Sequence, residues 1–411
     1  MGADTQHLGD SPAFRRRVFY IPGYDPIHPR RYRELYRKEG ADQARISGYD
    51  LSLRPKPAKG SYGWRVSARI EGAPTEAEID VLVWSDLVRG SMDQGIAATY
   101  LQLLRTAWVY IGSGALFALM RLRKGPVIAA LYPIAMLLAQ LGLGLLALWA
   151  VLLLNVAMWP EPWGRGLGWG FGVACTVLIL RWFRKKDGKF FAYYLMHDYA
   201  FAAQSGGANP PEMEVRMKAF GGAIADALRG DYDEVLVVGH SSGAHLAVSV
   251  LSDLIRAGVP AGGPALSFLS LGQVVPMVSF LPHAHRLRAD LHYLAARDEV
   301  TWVDVTAPGD GCAFALCDPV AVSGVAPQDK RWPLVLSAAF TQSLSPERWK
   351  QLRWRFFRLH FQYLCAFDRP RDYDYFRITA GPKTLRARYA GRAASKSRID
   401  RAVSRHISMA A

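Results

Sequence analysis

The sequence predicts an α/β fold, a sheet flanked by helices that is interrupted midway by a two-helix transmembrane hairpin. Three observations predict it. In EVLVVGHSSGAHLAVSVL, residues 234–251, an aliphatic run passes through Gly-His-Ser-Ser-Gly into apolar positions at helical spacing, the pattern of a buried strand that turns directly into a helix. Residues 127–158 and 167–180 contain no charged side chain, and about 20 such residues already span a bilayer core as a helix. Strand-like runs lie on both sides of that apolar region, at 18–21 and within 45–83 before it and at 266–275 and 300–305 after it.

Residues 1–95 supply the first part of the sheet. RRVFYIPGYDP places the apolar strand 18–21 before the turn Pro22-Gly23-Tyr24, and a polar, Arg-rich helix follows from about Pro29. Within 45–83, RISGYDLSL, GWRVSARI and IDVLVWSD are strand candidates, with RPKPAKGSYG as a turn. Residues 96–189 form a membrane insertion. Its first stretch, 96–120, is apolar but carries Arg105, and it reads as a helix lying on the membrane or against the hairpin rather than as a third span. The hairpin covers about 127–158 and 163–182, joined by WPEPWGRG; Trp163, Trp169 and Trp182 suit the membrane interfaces. The second segment reaches a spanning length if Arg165 snorkels, and Gly164, Gly168 and Gly172, spaced by four, let two helices approach closely.

Residues 190–380 resume the sheet. An amphipathic helix at 213–228 leads into the strand 234–238, and Leu246, Ala247, Val250, Leu251 and Leu254 mark the helix after the turn. Strands at 266–275 and 300–305 follow, then a helix over 347–364. Residues 381–411 read as a basic, disordered tail.

The formal charge of +15 is concentrated locally. Residues 383–405 carry eight Lys or Arg against one acid, Asp400. Anionic lipid headgroups are the nearest polyanion for such a tail, at about 1 kcal/mol per basic residue close to the surface. With Tyr389 as its one aromatic and no recognisable motif, it gives no reason to expect nucleic acid as a partner. Arg121, Arg123 and Lys124 precede the hairpin and Arg181, Arg184, Lys185, Lys186 and Lys189 follow it, while the connecting turn has only Arg165. The positive-inside rule then makes both flanks cytoplasmic. The expectation is an integral protein of the plasma (inner) membrane with both termini and both halves of the sheet in the cytoplasm. The first 14 residues lack an apolar signal region, and Gln6 stands where a myristoylation signal has Ser or Thr. Cys175, Cys312, Cys317 and Cys365 form no C-x-x-C pair and read as free thiols. His283, His285 and His292 lack an acidic or Cys partner at ligand spacing and read as part of a basic loop or helix.

At a turn from buried strand to helix, the serine of G-x-S-x-G occupies a strained conformation, and the residues two before and two after it must lack bulk. Ser241, Gly239 and Gly243 fit those positions. The helix that follows aims its first N–H groups and positive end at the turn. On these residues the chain resembles the α/β-hydrolase superfamily, in its serine esterase and lipase-like branch; the hairpin and tail lie outside that pattern. The resemblance implies a nucleophile elbow at Ser241 and a second oxyanion donor from the turn after an early strand, where Pro22-Gly23-Tyr24 stands in place of the family's His-Gly-X. The backbone N–H groups of Tyr24 and Ser242 are then the oxyanion donors, with Gly23 shaping the turn. It also implies the chain order Ser, acid, His. Asp310, in the Pro-Gly loop beyond the strand 300–305, is the acid, with Asp304 inside that strand as its rival; His360, the one histidine between Asp310 and the tail, is the base. His240 and His245 flank Ser241 and are expected to point away from it.

The expected function is a membrane-anchored serine hydrolase that cleaves an ester-type acyl bond, of a lipid or other amphiphile, through a Ser-His-Asp triad with no metal or organic cofactor. A non-catalytic membrane scaffold built on the same fold is the alternative. A transporter-like protein is the other, but two apolar segments without an ionisable residue at mid-depth offer no substrate path.

Overall fold

The computed structural model describes residues 13–57, 60–158 and 162–410, with the side chains of 156–165 left out as well. The readings of the extreme N-terminus, of the hairpin's turn, and of the Trp163, Gly164 and Arg165 side chains lie outside the described residues.

Eight strands form one mixed sheet: β1 (Phe14–Ile21), β2 (Asp50–Pro55), β3 (Gly63–Ile70), β4 (Ala73–Val81), β5 (Glu234–His240), β6 (Ala265–Leu271), β7 (Val300–Thr306) and β8 (Leu334–Ser337). Their order is β2-β3-β4-β1-β5-β6-β7-β8. β4, β1 and β5 to β8 run parallel, while β2 and β3 pair antiparallel at one edge. The first strand of the chain therefore sits mid-sheet: Tyr20 is in register with Val81 of β4 on one side and with Val238 of β5 on the other. The segment with the two long apolar helices lies between β4 and β5 in sequence, yet its two flanking strands lie on either side of the same neighbour.

β5 shows why an unbroken apolar run folds this way. All seven of its residues are buried, and alternate side chains serve opposite faces. Val235 and Val237 join a core with Met217, Ile224, Leu246 and Val250 on one face, and Leu236 and Val238 join Tyr36, Tyr363 and Phe376 on the other. Each fully buried side chain of this size is worth about 1.5–3 kcal/mol, so the central strands anchor both layers.

Several boundaries differ from the sequence reading. RISGYDLSL is not one strand: the helix Arg30–Ser47 carries the buried stripe Tyr32, Tyr36, Gly40 and Gln43 through to Ser47, and Gly48, at φ 69°, turns the chain into β2. The strand expected over 266–275 stops at Leu271, because Gly272 takes a positive φ and starts a loop. The helix expected over 347–364 is three pieces, Pro346–Leu352, Phe356–His360 and the 3₁₀ turn Gln362–Leu364. Trp349 rests on Gly309 and Phe356 on Gly311. A single straight helix would hold those two rings about 10 Å apart along its axis, farther than two glycines two residues apart can reach.

Two helices, Lys124–Met158 and Pro162–Lys185, are long and apolar enough to cross a membrane. They pack as an antiparallel pair on small residues. A Cβ on Gly168 would stand 2.8 Å from Asn155, and one on Gly144 2.7 Å from Thr176; one on Gly172 would come closer still to Leu148. Two of the three glycines spaced by four thus do bring the helices together, and the Thr176 hydroxyl donates to the Gly144 carbonyl at 2.8 Å. The stretch expected to lie on the membrane or against the hairpin is the helix Ile96–Gly112 followed by Ala115–Leu119. Its buried side packs on the helix Ala192–Ala203, Tyr100 donates to the Leu137 carbonyl at 2.9 Å, and Leu101, Leu104, Trp108 and Ile111 are exposed.

Residues 381–410 are not a disordered tail. Leu385 and Tyr389 are buried, Ile399 bridges to Cys317, and Ser408 accepts from Arg288 at 2.6 Å. Much of the basic charge meets the protein's own acids: Lys383 and Arg388 pair with Glu71, Arg386 with Asp298, and Arg392 with Asp372. A count of charges could not show that apolar residues between them dock onto the fold.

Candidate active site

Ser241 follows β5, and Pro22-Gly23-Tyr24 follows β1, so both lie at the carboxyl end of adjacent parallel strands in mid-sheet, where the connections diverge to opposite edges, the position at which open α/β sheets bind ligands. Ser241 has φ +56°, a left-handed conformation that is uncommon outside glycine and costs on the order of 1–3 kcal/mol. Its N–H donates to Leu271 at 2.9 Å, and its carbonyl accepts from Ala244 at 3.1 Å. A Cβ on Gly239 would lie 2.8 Å from the Ala244 Cα, and one on Gly243 would lie 2.7 Å from the Pro22 carbonyl oxygen. Only hydrogen fits at either position, as the sequence spacing implies. The helix Gly243–Ala257 starts immediately after.

The Gly23 turn lies against this serine. A Cβ there would stand 2.9 Å from the Ser241 Cβ and 3.3 Å from its Oγ. The Tyr24 and Ser242 residues are buried, and neither backbone N–H donates a hydrogen bond to another described residue, which is unusual for buried amides. The loop has a bracing of its own: Trp84 Nε1 donates to the Pro22 carbonyl at 2.9 Å, Arg89 to the Pro26 carbonyl at 2.9 Å, and the Asp25 carboxylate accepts from Ile27 N at 2.9 Å and from the Tyr32 hydroxyl at 2.7 Å. The Tyr194 hydroxyl donates to the Tyr24 carbonyl.

His360 and Asp310 are brought together over 50 residues of sequence. The His360 Nδ1 lies 2.7 Å from the Asp310 Oδ2, both side chains buried. Asp310 also accepts from the Tyr363 hydroxyl at 3.0 Å and from the Cys312 N–H at 2.9 Å. Burial pushes this carboxyl up, but the adjacent imidazole and these donors outweigh it and hold Asp310 below the usual carboxylate range. An ionised Asp310 keeps a proton on Nδ1 and leaves Nε2 as the basic atom. A Cβ on Gly272 would touch the His360 Cε1 at 3.1 Å, and Gly272 follows the Leu271 that holds the Ser241 amide, so the ring stands beside the elbow. The Ser241 Oγ is half-buried and makes no hydrogen bond with another described residue; apo catalytic contacts commonly close only around substrate.

The rival acid sits elsewhere. Asp304 is inside β7, fully buried, and accepts from the Ser270 hydroxyl at 2.5 Å, while its other oxygen has no partner. Burial pushes it up to about 8 against the pull of Ser270, with Asp318 adding to the rise. The folded chain therefore holds a proton that the unfolded chain releases above about pH 4. That contribution to stability is complete below pH 4 and is lost as pH rises through 8. Asp304→Asn is expected to shrink the fall in melting temperature between pH 5 and pH 9 by several degrees; an unchanged pH profile of melting would sink this reading of Asp304.

Asp310, Cys312 and His360 place ligand atoms within 4.8 Å of one another, close enough for a metal. The chemistry of the set fits poorly. Nδ1 is hydrogen-bonded directly to the carboxylate, and burial together with Asp310 and Asp198 pushes the Cys312 thiol well up, away from the thiolate a metal takes.

Three participants escaped the sequence reading. His240 does not simply turn away: its Nε2–H donates to the His360 carbonyl at 3.0 Å, and its ring lies 4.8 Å from that of His360. Burial and the nearby His360 lower it to about 3, so it stays neutral. Tyr363 is a second donor to the acid. Asp198, on Ala192–Ala203, is pushed up to about 7 by burial, with His360 opposing. A histidine before the elbow serine is visible in sequence, but its partner 120 residues away is not.

Comparison with known protein families, with curated proteins and with solved structures returns no match.

Proposed function

We propose that this chain is a membrane-anchored serine hydrolase of α/β-hydrolase type, acting on an ester-type acyl bond. The observation that carries the reading is Ser241, a non-glycine residue at φ +56° between a buried strand and a helix, with a buried His360–Asp310 pair beside it. Non-glycine residues in this conformation are uncommon, and outliers of this kind concentrate at functional sites.

In this reading His360 Nε2 takes the proton from Ser241 Oγ as Oγ attacks the acyl carbon, and Asp310 orients the imidazole and stabilises its charged form. The tetrahedral oxyanion is met by the Tyr24 and Ser242 N–H groups, each worth on the order of 3 kcal/mol. His360 then protonates the leaving alcohol, water attacks the acyl-enzyme with His360 again as base, and the acid is released. The two apolar helices anchor the chain in the plasma membrane, with basic residues at both outer flanks holding the catalytic half in the cytoplasm.

One experiment tests chemistry and topology together. A membrane-permeant fluorophosphonate is expected to label the protein in intact cells, an impermeant analogue is not, and Ser241→Ala abolishes labelling. A folded protein that takes no label overturns the hydrolase in favour of a scaffold, and labelling by the impermeant probe overturns the cytoplasmic placement.

A further inference from the structure

The two feet of the apolar hairpin rest on the segments that carry the site. The first helix begins at Lys124, and a Cβ on its Gly125 would stand 3.1 Å from the Cα of Gly311, the residue after Asp310. After the second helix, the ring of Phe191 lies 4.6 Å from that of Phe357, three residues before His360. Tyr194, one turn into the next helix, packs 5.8 Å from the same Phe357 and hydrogen-bonds the Tyr24 carbonyl. Acid loop, base helix and Gly23 turn therefore all touch the hairpin's base, and the crevice is level with the point where the apolar helices begin.

The rim at that level has an interfacial composition. From the link between the two short helices into the second of them, Arg353-Trp354-Arg355-Phe356-Phe357-Arg358 presents three exposed arginines, with Trp354 72 % and Phe356 50 % exposed. Stacked against Phe357, Phe191 is 36 % exposed, and Lys185, Lys186 and Lys189 beside it in sequence are exposed. Aromatic side chains that leave water at headgroup depth, interleaved with cations that meet anionic headgroups, are what a membrane–water interface selects. The apolar helices rooted in this rim fix which surface covers it.

Resting on the hydrolase reading, we infer that the site draws its substrate laterally from the bilayer: a long-chain acyl ester of a membrane lipid, admitted at the aromatic rim that Trp354, Phe356, Phe357 and Phe191 form together while that rim sits in the headgroup layer. The acyl chain stays in apolar surroundings from bilayer to crevice, and the ester carbonyl, at headgroup depth, arrives at the height of Ser241.

The test compares two substrates on the full-length protein reconstituted in vesicles of phosphatidylcholine and phosphatidylglycerol: p-nitrophenyl acetate from the water phase and a fluorogenic long-chain diacylglycerol ester in the bilayer. Trp354→Ser and Phe191→Ser are each expected to lower the ratio of bilayer-ester to soluble-ester turnover at least tenfold, and Trp354→Phe to restore most of it. An unchanged ratio with soluble-ester hydrolysis intact overturns lateral access and leaves the hydrolase standing. Loss of both reactions and of fluorophosphonate labelling in the wild-type protein takes down both.

Discussion

Ser241→Ala and His360→Ala are each expected to remove hydrolysis of a short acyl ester, by on the order of 10⁵–10⁶-fold in kcat, with little change in KM. In the proposed mechanism the two side chains act as one unit, the serine supplying the bond and the imidazole moving its proton, so losing either is close to losing both. Asp310→Asn is expected to leave a residue of activity, down by about 10⁴-fold, because the acid orients the base and carries no proton itself. An amide at this position that keeps its oxygen on the Cys312 N–H turns its NH₂ group to Nδ1, which favours the tautomer with the proton on the wrong nitrogen and takes away the acceptor of the Tyr363 hydroxyl. The contrast with Asp304 decides the assignment. Asp304 faces Ser270 inside the sheet, and if Asp304→Asn proved the more damaging change in kcat/KM, with both variants folded, Asp310 would not be the acid.

How much of this site is legible in sequence depends on how local each feature is. The elbow is legible because its requirements fall within a few residues: an aliphatic strand, two glycines that leave no room for Cβ, and helical periodicity beginning at once. The Asp310–His360 pairing is half legible, since type and order narrow the candidates but a separation of 50 residues hides the contact. The contact that His240 makes is hidden for the same reason; its neighbour in space is a backbone carbonyl far along the chain. The hairpin shows in composition because a bilayer acts on composition, and the broken helix at 346–364 does not, because two aromatic rings seeking glycines across a loop leave no periodic trace.

The tail is the largest departure, and it yields the second of the largest effects. Arg16, in β1, is 1 % exposed in its side chain, and Glu234, in β5, is fully buried. The Arg16 Nε donates to the Glu234 carboxylate at 2.6 Å, and its two terminal nitrogens donate to the carbonyls of Gly381 at 2.5 Å and Lys383 at 2.6 Å. The other Glu234 oxygen accepts from the Ser267 hydroxyl and from the Leu385 N–H, each at 2.6 Å. The start of the C-terminal segment thus completes the coordination of a buried ion pair at the amino ends of the two central strands. Arg16→Met is expected to cost about 3–5 kcal/mol, most of it from stranding the Glu234 charge in the interior, and to lower the melting temperature by on the order of 10 °C. Adding Glu234→Gln should return much of that loss, since a neutral amide still serves Ser267 and Leu385 without the uncompensated charge. Truncation after Ala380 should destabilise at least as much as Arg16→Met, because it removes two of the acceptors of Arg16 and one donor to Glu234 at once. A truncated protein that melts like the full chain would contradict this, and would return residues 381–411 to the loose basic tail that their charge alone suggests.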